Sequence, residues 1–134
     1  IEKVPARIKA AKENFKRYGK TDRICLLEGD AADVLTELSA QGNQYEFIFM
    51  DAAKGQYLNF LPNILKMLPE NGMLITDNVL QDGDVIQSRY AINRRDRTIH
   101  GRMRKYLYQL THSEELDTVI LPVGDGITVS RRIK

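Results

Sequence analysis

The sequence predicts an α/β fold, a mostly parallel sheet with an antiparallel final strand and helices packed against it. Three observations predict it. Apolar runs of strand length at 24–27, 45–50 and 73–75 alternate with longer stretches whose apolar residues recur every three or four positions. Each of these runs ends abruptly at an acid or an acid–amide pair. The last two apolar runs, 118–121 and 127–130, are joined only by Pro122-Val123-Gly124-Asp125-Gly126. That link is too short for a helical crossover, so the two strands pair antiparallel.

Taken in order, Val4, Ile8, Ala11 and Phe15 fall at helical spacing between Pro5 and Gly19, giving an amphipathic helix over 4–18. Arg23 to Leu27 suits a buried strand closed by Glu28-Gly29-Asp30. Asp30 then serves as N-cap of a second helix that turns Val34, Leu35 and Leu38 inward. After the turn at Gln41-Gly42-Asn43, the β-forming run Tyr45 to Met50 stops at Asp51. Tyr57, Phe60, Leu61, Ile64 and Leu68 mark a third helix, ended by Pro69-Glu70-Asn71-Gly72. Met73 to Ile75 is a buried strand leading into Thr76-Asp77-Asn78. Residues 79–98 are polar and irregular, and Met103, Tyr106, Leu107 and Leu110 define a fourth helix. Strands are expected near 24–27, 46–51, 72–77, 117–122 and 126–131.

A chain of 134 residues, 43% hydrophobic and 28% charged, fits one globular domain over 1–134 and not two. No apolar run approaches the roughly 20 residues that span a bilayer, and the first residues carry no signal-peptide pattern. The single Cys25 reads as a small core residue of a protein in the reducing cytoplasm. Ile1 and Glu2 read as the last turn of a strand running into a helix, so the domain is expected to be N-terminally incomplete.

In open α/β sheets, ligands bind beyond the carboxyl ends of the strands. Glu2, Asp30, Asp51 and the pair Asp77-Asn78 all stand at such ends. If the strands before Asp51 and Asp77 are neighbours, two carboxylates and an amide oxygen come together. These are hard ligands, suited to Mg²⁺ with coordination positions left for substrate. Lys54 follows Asp51 by three residues and can act as a general base where a nearby cation and partial burial favour its neutral form. Acids at strand ends also serve as caps and turn formers. It is the ordered set that points to catalysis.

Three segments carry a family resemblance: Phe47-Ile48-Phe49-Met50-Asp51-Ala52-Ala53-Lys54-Gly55-Gln56-Tyr57, Gly72 to Leu80 (GMLITDNVL), and Pro122 to Ile127 (PVGDGI). Over nearly the whole chain the sequence resembles the caffeoyl-CoA/catechol-type O-methyltransferases, whose sheet is Rossmann-like. Within them it looks closest to the bacterial branch that methylates 5-hydroxyuridine at the tRNA wobble position. The resemblance implies S-adenosylmethionine as methyl donor and Mg²⁺ or another divalent cation held by Asp51, Asp77 and Asn78. It implies Lys54 as base beside a catalytic Asp51, Glu2 on the cofactor ribose, Asp30 and Ala31 at the adenine, Asp51 also among the cofactor-binding residues, and a homodimer. The family's first strand and its glycine-rich turn have no counterpart here.

Methyl transfer to oxygen needs an ionised or nearly ionised hydroxyl, and a cation shared with a vicinal oxygen provides that. Catechols and 5-hydroxyuridine both offer the vicinal pair. Between Ser88 and Tyr108, seven basic residues (Arg89, Arg94, Arg95, Arg97, Arg102, Arg104, Lys105) against Asp96 alone give +6, on a chain of net +2. With Tyr90 and Tyr108 among them, they suit a tRNA anticodon loop. Their bland alternative is a solvated helix face. His100 and His112 lack metal-ligand spacing and read as surface residues. Competing readings are a small catechol or phenylpropanoid acceptor, a phosphoreceiver domain with Asp51 and Thr76 at its strand ends, and a non-catalytic RNA-binding module.

Overall fold

The computed structural model describes all of residues 1–134. Strand β1 (Phe47–Met50) lies parallel to β2 (Met73–Thr76), with Phe47 opposite Met73 and Met50 opposite Thr76. Two later strands, β3 (Leu116–Leu121) and β4 (Ile127–Arg132), form an antiparallel hairpin, and β4 also pairs antiparallel with β2. The sheet order is therefore β1-β2-β4-β3. Because β4 opposes both of its neighbours, the other three strands share one direction, as the sequence predicts.

Four helices accompany the sheet: α1 (Pro5–Arg17), α2 (Ala31–Ala40), α3 (Tyr57–Met67) and α4 (Arg97–Thr111). The Asp30 side chain caps α2 by accepting from the Ala32 N–H at 3.0 Å. On α3, Tyr57, Phe60, Leu61, Ile64 and Met67 are buried, a stripe with helical spacing. The matching stripe on α4 is His100, Met103, Tyr106, Leu107 and Leu110. These two stripes cover one face of the sheet, where Leu74, Thr76, Thr128 and Ser130 are fully enclosed. Burying hydroxyls there requires partners. Thr76 has Tyr106 Oη at 2.6 Å, and Ser130 accepts from Thr118 at 2.9 Å, whereas the Thr128 hydroxyl is the exception and has no protein partner. The opposite face is apolar yet bare, with Phe47 and Phe49 58% and 55% exposed. No helix is long and apolar enough to cross a membrane.

Three expectations fail. Residues 24–27 do not form a strand. Glu2 and Glu28 make one isolated parallel bridge, held by Glu2 N–H to Leu27 O and Gly29 N–H to Glu2 O, both at 3.0 Å. In the parallel register set by Glu2 opposite Glu28, residues 24–26 would pair with positions ahead of Ile1, so no described residue lies opposite them. With no neighbouring element packed over this run, Cys25 is exposed rather than in the core. His100 is buried and not on the surface, at 3% exposure. It lies one turn before Met103 on the inward face of α4. Its Nε2 faces the Gln87 carbonyl at 3.2 Å, so this nitrogen carries the proton, while Nδ1 has no partner.

Candidate active site

The β1–β2 register decides the site. Met50 lies opposite Thr76, and the Asp77 N–H donates to the Met50 carbonyl at 3.0 Å. The next residues along, Asp51 and Asp77, therefore stand at adjacent strand ends, where backbones run about 4.8 Å apart. Asn78 follows with φ of 54°, a left-handed conformation that asparagine tolerates better than most residues. Its N–H donates to the Asp77 carboxylate at 2.7 Å. Neither Asp51 nor Asp77 takes part in any ion pair. No three His, Cys, Asp or Glu side chains are placed to hold a metal ion between them, so a cation here would rest on two carboxylates and one amide. Two neighbouring carboxylates without a protein cation repel each other, and a hard divalent ion relieves that repulsion. The donor set fits such an ion.

Lys54 begins a single 3₁₀ turn (Lys54–Gln56) just past β1. Its ammonium is paired with Asp125 at 3.2 Å, the two side chains being 34% and 19% exposed. The sequence shows no sign of this partner, which lies in the β3–β4 loop. Asp125 also accepts the Asp82 N–H, and its own carbonyl accepts the Leu80 N–H at 2.9 Å. The hairpin loop is thus fastened to the segment that leaves Asp77-Asn78. Gly126, at φ of 78°, lets Leu80 lie directly on its backbone, where a Cβ would collide with the Leu80 side chain. Gly126→Ala should cost about 1–3 kcal/mol. Thermal melts of the full-length protein would show it, and an unchanged melting temperature would mean that the loop can part from Leu80 freely.

Glu2, Asp30, Ala31 and Asp51, the residues expected to hold the cofactor, line one cleft of about 380 Å³ together with Arg7 and Phe60. That is enough for part of a nucleoside-sized ligand. Two of these acids also have structural partners. Glu2 accepts the Val4 and Lys3 N–H groups, each at 2.9 Å, and the Val4 bond is the main reason its carboxyl lies below the usual range. Asp30 is held low chiefly by Lys3, whose Nζ is 2.8 Å away, and next by the Ala32 N–H.

Of the five arginines expected to meet RNA, two are committed within the chain. Arg97 donates to the Ile92 carbonyl at 3.0 Å, and Arg102 to the Gly55 carbonyl at 2.6 Å. Arg104 likewise reaches the Val85 carbonyl at 3.1 Å. Arg89, Arg94 and Arg95 are exposed, Arg95 beside Asp96 at 3.4 Å, and Tyr90 is 89% exposed.

Residues 1–133 match the O-methyltransferase family. The chain belongs to that family. It is 32% identical over 123 residues to the caffeoyl-CoA O-methyltransferase of Eucalyptus gunnii, covering 90% of this chain and 49% of that protein. To the Medicago sativa caffeoyl-CoA O-methyltransferase it is 34% identical, covering 92% of this chain and 54% of the relative. The chain thus spans about half the length of the curated relatives it matches. Among solved structures, a Podospora anserina methyltransferase with SAH bound superposes with a TM-score of 0.81 at 30% identity, over 100% of this chain and 59% of that one. The Rossmann-like methyltransferase fold follows from these likenesses and from the sheet together.

Proposed function

We propose that the full-length protein moves a methyl group from S-adenosylmethionine to a hydroxyl with a vicinal oxygen, using a divalent cation. The observation that carries this reading is the β1–β2 register, which sets Asp51 beside Asp77-Asn78 with no lysine or arginine paired to either acid. S-adenosylmethionine would supply an electrophilic methyl group, and a cation such as Mg²⁺ would ease ionisation of the acceptor hydroxyl. This chain's residues supply the rest. Asp51, Asp77 and Asn78 would offer the cation three oxygens. Lys54, once parted from Asp125 and after releasing its ammonium proton to solvent, would take the hydroxyl proton as a neutral amine. Glu2, Asp30 and Ala31 would meet the ribose and adenine at the far end of the cleft. The exposed Phe47 and Phe49, and the apolar gap between them and Ile1, support a domain that is N-terminally incomplete over 1–134. A titration of S-adenosylmethionine into the full-length protein tests the reading. Absence of binding would leave a non-catalytic RNA-binding module in its place.

For the acceptor, the exposed Arg89, Arg94 and Arg95, close to Tyr90 in sequence, favour a 5-hydroxyuridine at the tRNA wobble position. The names of the relatives favour a small phenolic instead. Replacing those three arginines with alanine should weaken tRNA binding and flatten its log–log salt slope by up to about three units on duplex, less on single strand. Methylation of a small catechol, where the enzyme accepts one, should be spared. Mass spectrometry of tRNA nucleosides from cells lacking the gene should show loss of 5-methoxyuridine-type modification. If that modification persists with no redundant enzyme present, the acceptor is the small catechol.

A further inference from the structure

Tyr57 opens α3 and is 1% exposed, directly beneath the ends of β1 and β2. Its hydroxyl donates to the Asp77 carbonyl at 3.0 Å. Burial holds the pKa of this phenol above the tyrosine range, the Ala52 N–H opposes that, and the carboxylates of Asp51 and Asp77 add to it. One neutral donor therefore lies within the field of both acids and touches the backbone of one strand end while facing the amide just after the other. Its ring is held edge-on against Tyr106 with centroids 5.4 Å apart, and Tyr106 in turn meets the hydroxyl of Thr76, the residue before Asp77. The hydroxyl is not required to cover the core, since the ring does that. What it does is fix the Asp77 carbonyl at the point where the chain turns into the left-handed Asn78.

We propose that Tyr57 is a positioning residue for the two-aspartate site, its hydroxyl holding the Asp77-Asn78 turn at the spacing from Asp51 that a divalent cation needs. The inference rests on the metal reading above. The carbonyl of Asp77 accepts this bond while its N–H is held by Met50, so both polar groups of the peptide units flanking the carboxylate are tied. Without the hydroxyl, the Asp77 carbonyl would lose its partner, leaving the turn tied by the Asp77 N–H before it and by the Val79 and Leu80 N–H groups after it.

The test uses Mn²⁺ as probe, titrated into the full-length protein and its Tyr57→Phe variant and followed by electron paramagnetic resonance of the free ion. Loss of a residue that orients metal ligands typically weakens metal affinity by about 10–100-fold, and that is the loss expected. Tyr106→Phe, which gives up the Thr76 contact but not the Asp77 one, should stay within about threefold of the wild type and so separates positioning from general loosening of the core. If the wild type binds Mn²⁺ and Tyr57→Phe binds it equally well, the role of Tyr57 is overturned and the metal site stands. Equal weakening in both tyrosine variants would also overturn it, as would a Tyr57→Phe protein that does not fold. If the wild type binds no Mn²⁺, the metal reading falls and this inference falls with it.

Discussion

Asp77→Ala in the full-length protein should bring methyl transfer below detection while leaving the fold almost unchanged. Both halves of that expectation follow from how Asp77 is held. Its ties to the fold are backbone ties, the N–H to Met50 and the carbonyl from Tyr57, and alanine keeps them. The carboxylate itself bonds only the N–H of the next residue. Removing it takes away one of two adjacent negative charges, so the metal-free variant should melt no lower than the wild type. With the carboxylate goes half of the charge that would hold a divalent ion, and the remaining acid and amide are too few for firm binding. Chelation of the wild type with EDTA should reproduce the loss, and added Mg²⁺ should reverse it. A crystal grown with Mg²⁺ should place oxygens of Asp51, Asp77 and Asn78 about 2.1 Å from the ion. Activity that persists in EDTA would show that the metal assignment is wrong. Asn78 calls for a different substitution. Its left-handed backbone would strain alanine, so Asn78→Gly is the variant that removes the side chain without penalising the turn.

The parts of this molecule that were legible in the sequence are those written in a period. The stripes of α3 and α4, the cap at Asp30 and the hairpin around Gly124 to Gly126 depend on spacing along a few consecutive residues. The adjacency of β1 and β2 was legible too, because a single helix separates them and parallel neighbours need such a crossover. Residues 24–27 misled because composition reports that a segment would be stable if buried and not whether a neighbour buries it. His100 was misread by chemistry, although its place one turn before Met103 was visible. The Lys54–Asp125 pair was not legible, since its members are 71 positions apart and lie on two loops. Charge counting likewise left unseen that Arg97, Arg102 and Arg104 each bind a backbone carbonyl of this chain. A guanidinium has five donors and binds backbone carbonyls as readily as phosphates, so a net charge does not reveal how many of its members are free. At the site itself, residue types announced the acids and the lysine, whereas Asp125 read only as a turn residue and Tyr57 only as core.

Lys54→Met should lower kcat by roughly 10²–10⁴, the range for loss of a general base, with KM nearly unchanged. The case for the lysine is one of placement: it stands three residues past Asp51 on a turn fixed from two sides. Asp125 holds its ammonium at 3.2 Å, and Arg102 holds the next carbonyl, that of Gly55, at 2.6 Å. A side chain so constrained reaches a defined point, which is what proton transfer within hydrogen-bond distance demands. The pair with Asp125 also complicates the reading of a methionine variant, because the half-buried carboxylate loses its cation and keeps only the Asp82 N–H. A fall in stability could then pass for a fall in chemistry. Lys54→Arg removes that ambiguity. Arginine can keep the contact with Asp125 and with it the melting temperature, but it does not give up its proton at any pH the protein survives. A base requires Lys54→Arg to be as slow in kcat as Lys54→Met while remaining as stable as the wild type. If arginine instead restores kcat, the positive charge is the working feature and Lys54 is an electrostatic or binding group. A large rise in KM with kcat intact in both variants would assign it to substrate binding alone.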